Sequence, residues 1–118
     1  MREARTIAVV GASPRPERPS HEVASYLERA GYRVLRVNPF CEDSWPSLAS
    51  LEEEVDLVDV FRRPELCPAV AREAAAIGAP ALWLQLGIRS AEARQVAIAS
   101  GMDYVEDACT LIVHRDLG

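Results

Sequence analysis

The sequence contains no lysine; all thirteen of its basic residues are arginine. That absence excludes a lysine Schiff base and a phosphate loop of the Gly-Lys-Ser/Thr type. It does not exclude phosphate binding, because the planar guanidinium bonds two oxygens at once. A biased genomic base composition accounts equally well for the missing lysine. Cysteine is scarce: Cys41, Cys67 and Cys109 are odd in number and lack C-x-x-C spacing, which excludes a disulfide framework and a zinc site. His21 and His114 are the only histidines and lie too far apart for a metal pair. No apolar run approaches the ~18–20 residues of a membrane-spanning helix. The segment Met1–Thr6 leads directly into a strand-like run without a signal-peptide pattern, and a cytoplasmic protein is expected. A formal charge of −5 speaks against a nucleic-acid backbone as partner.

What is present is the material of one domain spanning residues 1–118. Hydrophobic residues at 49% and charged residues at 26% suit a chain with a real core. Thr6–Gly11 reads as a buried strand. Ser20 offers an N-cap to a helix with apolar Val23, Ala24, Leu27 and Ala30, closed by Gly31. Arg33–Asn38 is a second strand, stopped by Pro39. Phe40–Glu54 reads as a loop with one helical turn near Ser47–Glu53. Val55–Val60 is a third strand, whose Asp56 and Asp59 imply that one face or end meets solvent. A helix opens at Pro64 and runs to about Ile77. Ala81–Gly87 is a fourth strand, Ala91–Ser100 a helix capped by Ser90, and Asp103–Glu106 a fifth strand. The tail Ala108–Gly118 is expected to pack across the domain. Five strands alternating with about four helical elements predict an α/β, Rossmann-like three-layer fold with a five-stranded parallel sheet.

In such a sheet, ligands bind beyond the carboxyl ends of the strands. The first such edge is Gly11-Ala12-Ser13-Pro14, continued by Arg15, Arg18, Pro19 and Ser20. Gly11 permits close backbone approach, Ser13 supplies a hydroxyl, and the helix start presents unpaired N–H groups to an anion. A solvated, proline-stiffened turn is the plainer alternative. The pattern is not the dinucleotide fingerprint: two of its glycines are missing, and Asn38-Pro39 stands where an acid would receive the ribose hydroxyls. Beyond the third strand, Phe61-Arg62-Arg63 offers an aromatic and two cations; a core phenylalanine with solvated arginines fits equally. Gln85, Leu86 and Gly87 follow the fourth strand.

Catalytic patterns are sparse. There is no Gly-x-Ser-x-Gly elbow and no Cys–His or Ser–His–Asp spacing. Asp56 and Asp59, three apart on a strand, fall on opposite faces and make no acid–base pair. His21 near the first edge is either a ligand-edge helper or an exposed polar residue.

The stretches Ile7–Ser13 with Arg18-Pro19-Ser20, Gly31–Val34, Val37-Asn38-Pro39, Pro46–Leu48, Val55–Pro64 and Ala81–Ile88 together resemble the small stand-alone CoA-binding domain proteins. Their fold is shared with the CoA-binding domain of succinyl-CoA ligase α subunits and of NDP-forming acyl-CoA synthetases. Val58-Asp59-Val60-Phe61-Arg62-Arg63-Pro64 and Trp83–Gly87 carry the resemblance most specifically. One departure is the shortened stretch Phe40–Trp45, where most relatives have a longer loop with a glycine turn.

The resemblance implies coenzyme A as ligand. It places the pyrophosphate on Gly11, Ala12, Ser13 and the Ser20 helix start, with Arg18 and its neighbour Pro19 beside it. Arg62 or Arg63 would meet another phosphate. Asn38, Pro39, Val60 and Phe61 would line the adenine or ribose region, and Gln85, Leu86 and Gly87 the pantetheine exit. The larger ligases work through a phosphorylated histidine on a separate domain that this chain has no room for. The resemblance therefore implies binding without catalysis, with any chemistry carried by a protein partner. An NAD(P)- or nucleotide-dependent enzyme, and an interaction module with a decayed pocket, stay open as alternatives.

Overall fold

The computed structural model describes residues 5–109 apart from 14, 16 and 42. The expected contributions of Pro14, Pro16, His114 and the tail beyond Cys109 lie outside the described residues.

Five strands form one parallel sheet in the order β2-β1-β3-β4-β5: β1 (Thr6–Val10), β2 (Arg33–Val37), β3 (Leu57–Val60), β4 (Ala81–Leu84) and β5 (Asp103–Val105). Helices α1 (Pro19–Arg29), α2 (Cys67–Ala76) and α3 (Ala91–Ala99) connect them. The α/β three-layer, five-stranded parallel architecture expected from the sequence is the one observed. Alternation along the strands builds the layers, because successive side chains point to opposite faces. On β1, Ile7 and Val9 pack with Val23, Ala24 and Leu27 of α1. Ala8 and Val10 belong to the other core, with Val70, Ala71 and Ala74 of α2 and Ala93 and Ala97 of α3. A parallel strand covered on both faces is favoured to be apolar at successive positions, as Ile7–Val10 is.

The helical elements differ from expectation in three places. The loop before β3 holds a 3₁₀ turn at Leu48–Ser50 rather than a longer helical turn. The helix expected from Pro64 begins as a 3₁₀ turn, Pro64–Leu66, and becomes α-helical only at Cys67. Pro68 then falls in the first turn of α2, where no amide N–H is required. Ser20 is not the N-cap of α1: Arg18 holds that position, Pro19 occupies the first helical turn, and Ser20 is buried inside the helix. Proline pre-sets the helical φ one residue earlier than a capping serine would.

The strands also end sooner than the apolar runs suggest. Gly11, Asn38, and Gln85 to Gly87 all lie just past their strands. Asp56 precedes β3 rather than sitting in it, so the opposite-face argument does not apply to it. Asp59 does not meet solvent. It is fully buried on β3, where it accepts a hydrogen bond from Nε2 of Gln85. The amide supplies the partner that a buried carboxylate needs.

Asp56 closes the N-terminal end of the sheet. Its Oδ2 accepts the backbone N–H groups of Arg5 and Thr6, each at 3.0 Å, and these bonds hold its carboxyl below the usual value of 3.8. A depressed folded-state value stabilises the fold above the unfolded value and loses that contribution as pH falls through the folded one. Asp56→Asn is expected to cost about 1 kcal/mol at neutral pH. Urea unfolding of both proteins at pH 7 and pH 3 should show the gap shrinking at the lower pH.

Candidate functional site

The chain leaves β1 toward β2 on one side and returns to β3 on the other, so the strand order reverses at β1. Connections then diverge above the carboxyl ends of β1 and β3, and a crevice opens there. Val10 accepts the N–H of Phe61 at 2.8 Å, and Gly11 donates its N–H to the carbonyl of Val37 at 2.8 Å. The three strand ends are thus tied flush. Gly11 has φ +87°, and a Cβ on it would collide with the carbonyl oxygen of Phe61. Only glycine fits this corner.

From Gly11 the chain turns back on itself. The Oγ of Ser20 accepts the N–H of Ser13 at 3.0 Å, and the Oγ of Ser13 accepts the N–H of Arg15 at 3.2 Å. Ser20 therefore fastens the loop onto the start of α1 instead of capping the helix. On the β2 side, Asn38 donates from Nδ2 to the carbonyl of Ala12 at 2.7 Å, and its Oδ1 accepts the N–H of Phe40 at 2.9 Å. On the β3 side, the Cys67 thiol lies 3.5 Å from the Arg63 carbonyl and 3.8 Å from that of Arg62. Burial pushes this thiol up to about 11, so it stays protonated and donates. Beyond β4, Asp107 accepts the N–H of Gly87 at 2.7 Å and pairs with Arg89 at 2.7 Å. Those two interactions, the Gly87 bond first, hold its carboxyl below the ordinary range.

A cleft of about 510 Å³ lies over this edge. Of the residues singled out in the sequence, it brings together Gly11, Ser13, Arg18, Pro19, Ser20, Phe61, Arg62 and Arg63. Arg15, named with the first edge, and Pro64 and Ile88, the last residues of two of the resembling stretches, complete its wall. Ala12, Val60 and Gln85 are buried behind the surface and do not line it. Asn38 acts as a brace beneath the loop, while Pro39, Leu86 and Gly87 are exposed outside the cleft wall. The role of Asp107, at φ +55°, had no sequence signal. Among the described residues, no ion pair engages Arg15, Arg18 or Arg62, and Arg63 meets Glu65 only at an exposed 3.6 Å. The same residues contain no group of three or more His, Cys, Asp or Glu suited to a metal ion, and no helix long and apolar enough to cross a membrane.

The fold and its arginine-lined edge define an open-sheet α/β domain of the Rossmann-like class. The chain belongs to the CoA binding domain family, which it matches over residues 5–115. It is 36% identical to the uncharacterized protein YneT of Bacillus subtilis, over 97% of this chain and 88% of that protein. A solved Thermus thermophilus protein is 40% identical with a TM-score of 0.93, covering 99% of this chain and 92% of that one. The acetyl-coenzyme A synthetase 1 of Ca. Korarchaeum cryptofilum shares the fold at a TM-score of 0.76 and 20% identity, over 86% of this chain and 26% of the synthetase.

Two glycines separate the terms of the Gly11 corner. Gly31 also has positive φ, +100°, but a Cβ there meets nothing within 4 Å. Gly31→Ala should cost about 1 kcal/mol, the backbone term alone. Gly11→Ala carries the collision with Phe61 as well and should cost at least about 2 kcal/mol more in chemical denaturation.

Proposed function

We propose that the cleft between the Gly11–Ser20 turn and Phe61–Pro64 binds coenzyme A or an acyl-CoA, and that the chain holds this ligand for chemistry carried out by a protein partner. The observation that carries the reading is the convergence of Arg15, Arg18, Arg62 and Arg63 on one cleft in an otherwise acidic chain of the CoA binding domain family. Coenzyme A brings a pyrophosphate, a 3′-phosphate and a long uncharged arm, and clustered guanidinium groups suit the first two.

In this reading the pyrophosphate lies over Gly11, Ala12 and Ser13 at the open start of α1, whose first turn has no side-chain cap. Arg18 bonds it from the helix side, and Arg62 or Arg63 takes a further phosphate. Phe61 backs the adenine or ribose region beside Pro39, and Ile88 provides apolar surface for the arm, which leaves past Leu86 and Gly87. Asn38, Val60 and Gln85 contribute from beneath, as braces and floor. The lining set offers the arginines, hydroxyls and apolar groups that holding such a ligand requires.

Isothermal titration with coenzyme A and dephospho-CoA tests the reading. Binding of coenzyme A is expected, weaker for dephospho-CoA if an arginine meets the 3′-phosphate; no heat from either ligand at millimolar concentration overturns it. Arg18→Ala should weaken coenzyme A about tenfold or more, the effect of one charge-assisted hydrogen bond. Unchanged affinity would remove Arg18 from the site.

A further inference from the structure

Helix α3 turns Ala93 and Ala97 into the core and leaves its other side to solvent. Ala91, Arg94, Gln95 and Ile98 are all exposed there. Their spacing of three, four and seven residues puts them on one face of the helix. With Arg89 and Glu106 at its head, that face lines a groove of about 420 Å³, separate from the ligand cleft. Ile98 keeps 63% of its surface in solvent and is the only exposed large hydrophobic residue in an α-helix among those described. An exposed isoleucine by itself needs no explanation. This one shares a groove with an exposed alanine two turns away, a knob in line with a hole.

The groove is also electrically balanced. Arg89 pairs with Asp107 at 2.7 Å and approaches Glu106 at 4.0 Å. Glu106 in turn accepts the Tyr104 hydroxyl at 2.8 Å. The two groove arginines, Arg89 and Arg94, are thus matched in number by Glu106 and Asp107, on a chain whose formal charge is −5. Copies that repel one another over most of their surface do not do so here. A two-fold contact at the ligand cleft would instead set its four arginines against a second four.

We propose that the groove is the contact between two copies of this chain, packed antiparallel along α3 about a two-fold axis between Arg94 and Gln95. That axis sets Ala91 opposite Ile98 of the second copy and Arg94 opposite its Gln95, each contact occurring twice. The large side chain at residue 98 enters the space that the small one at residue 91 leaves open, at both ends of the seam. Between them the Arg94 guanidinium donates to the Gln95 side-chain carbonyl. Antiparallel helices also bring opposite dipole ends side by side. Ile88 lines the ligand cleft and Arg89 the groove, so the step between these two residues divides the surfaces and the cleft stays open in the dimer.

Sedimentation equilibrium of the full chain, from about micromolar to about millimolar concentration, tests the contact. A monomer–dimer equilibrium is expected. Ile98→Arg puts a charge into the notch and Ile98→Ala empties it; each should weaken the dimer about tenfold or more. Ala91→Ile should weaken it as well, because two isoleucines then compete for one space. Combining Ala91→Ile with Ile98→Ala again sets a large side chain opposite a small one and should recover the dimer. Both positions are exposed, so every variant should keep the circular dichroism spectrum of the unaltered chain. An unaltered chain that stays monomeric across the range overturns the proposal. So does a dimer unmoved by Ile98→Arg, which would lie on another face, and so does a double variant no better than its singles, which would deny the antiparallel register.

Discussion

The carbonyl oxygen of Phe61 fills the space that a side chain at residue 11 would need, and the ligand edge is organised around that contact. Because Gly11 brings its backbone so close, the ends of β1 and β3 lie side by side, with Val10 bonded to Phe61 and Gly11 to Val37. Three strand ends share one level, and the turn that follows has a flat floor beneath it. The buried apolar run Ile7–Val10 of β1 makes this possible from below. Like β3, β1 is covered on both faces, and it is flanked by β2 and β3, so its end position is fixed before the turn begins.

Charge is distributed unevenly over the surface, with four arginines gathered at the cleft. Away from the cleft, three arginines stand against carboxylates, Arg33 with Glu53, Arg36 with Glu28 and Arg89 with Asp107, while Arg29, Arg72 and Arg94 are spread over other surfaces without an ion pair among the described residues. At the cleft, Arg15, Arg18 and Arg62 have no such partner among the described residues. Exposed pairs contribute little to stability, but they neutralise the field locally. What remains is a positive edge on a negative molecule. The surrounding negative charge disfavours an extended polyanion, whereas a small phosphate ligand within about 8–10 Å of the arginines experiences chiefly their field.

Much of this was legible in the sequence, and the exceptions have physical causes. The apolar run Ile7–Val10, the alternating layers and the glycine after β1 follow from burial and local backbone geometry, so reading the residues sufficed. Strand order did not follow, since it depends on which way each crossover turns. Asp59 and Gln85 were read as edge polars because each is polar alone; buried together they satisfy one another, and pairing is a tertiary fact. Ser20 was misread for a related reason. A serine before an apolar run signals a cap, but Pro19 had already started the helix, leaving the hydroxyl for the N–H of Ser13. The resemblance puts Asn38 at the adenine or ribose region of the ligand, while its two bonds make it a brace between β2 and the Gly11 turn.

These braces share one design. Ser20 holds Ser13, Asn38 holds Ala12 and Phe40, Cys67 holds the Arg62–Arg63 backbone, and Asp107 holds Gly87. Every loop at the carboxyl edge is pinned by a side chain bonded to main chain, and each pinning residue comes from a different stretch of sequence than the loop it secures, or from its flank. Ordering a loop on binding costs free energy that must come out of the affinity. Here that cost is already met in folding, so a ligand bound as proposed would have only the surface side chains to order, chiefly the arginines. On the proposed reading, stability and recognition fall to separate residues. The braces are mostly neutral and turned inward, the arginines charged and turned outward, so the cleft can change what it binds without changing how the edge is built.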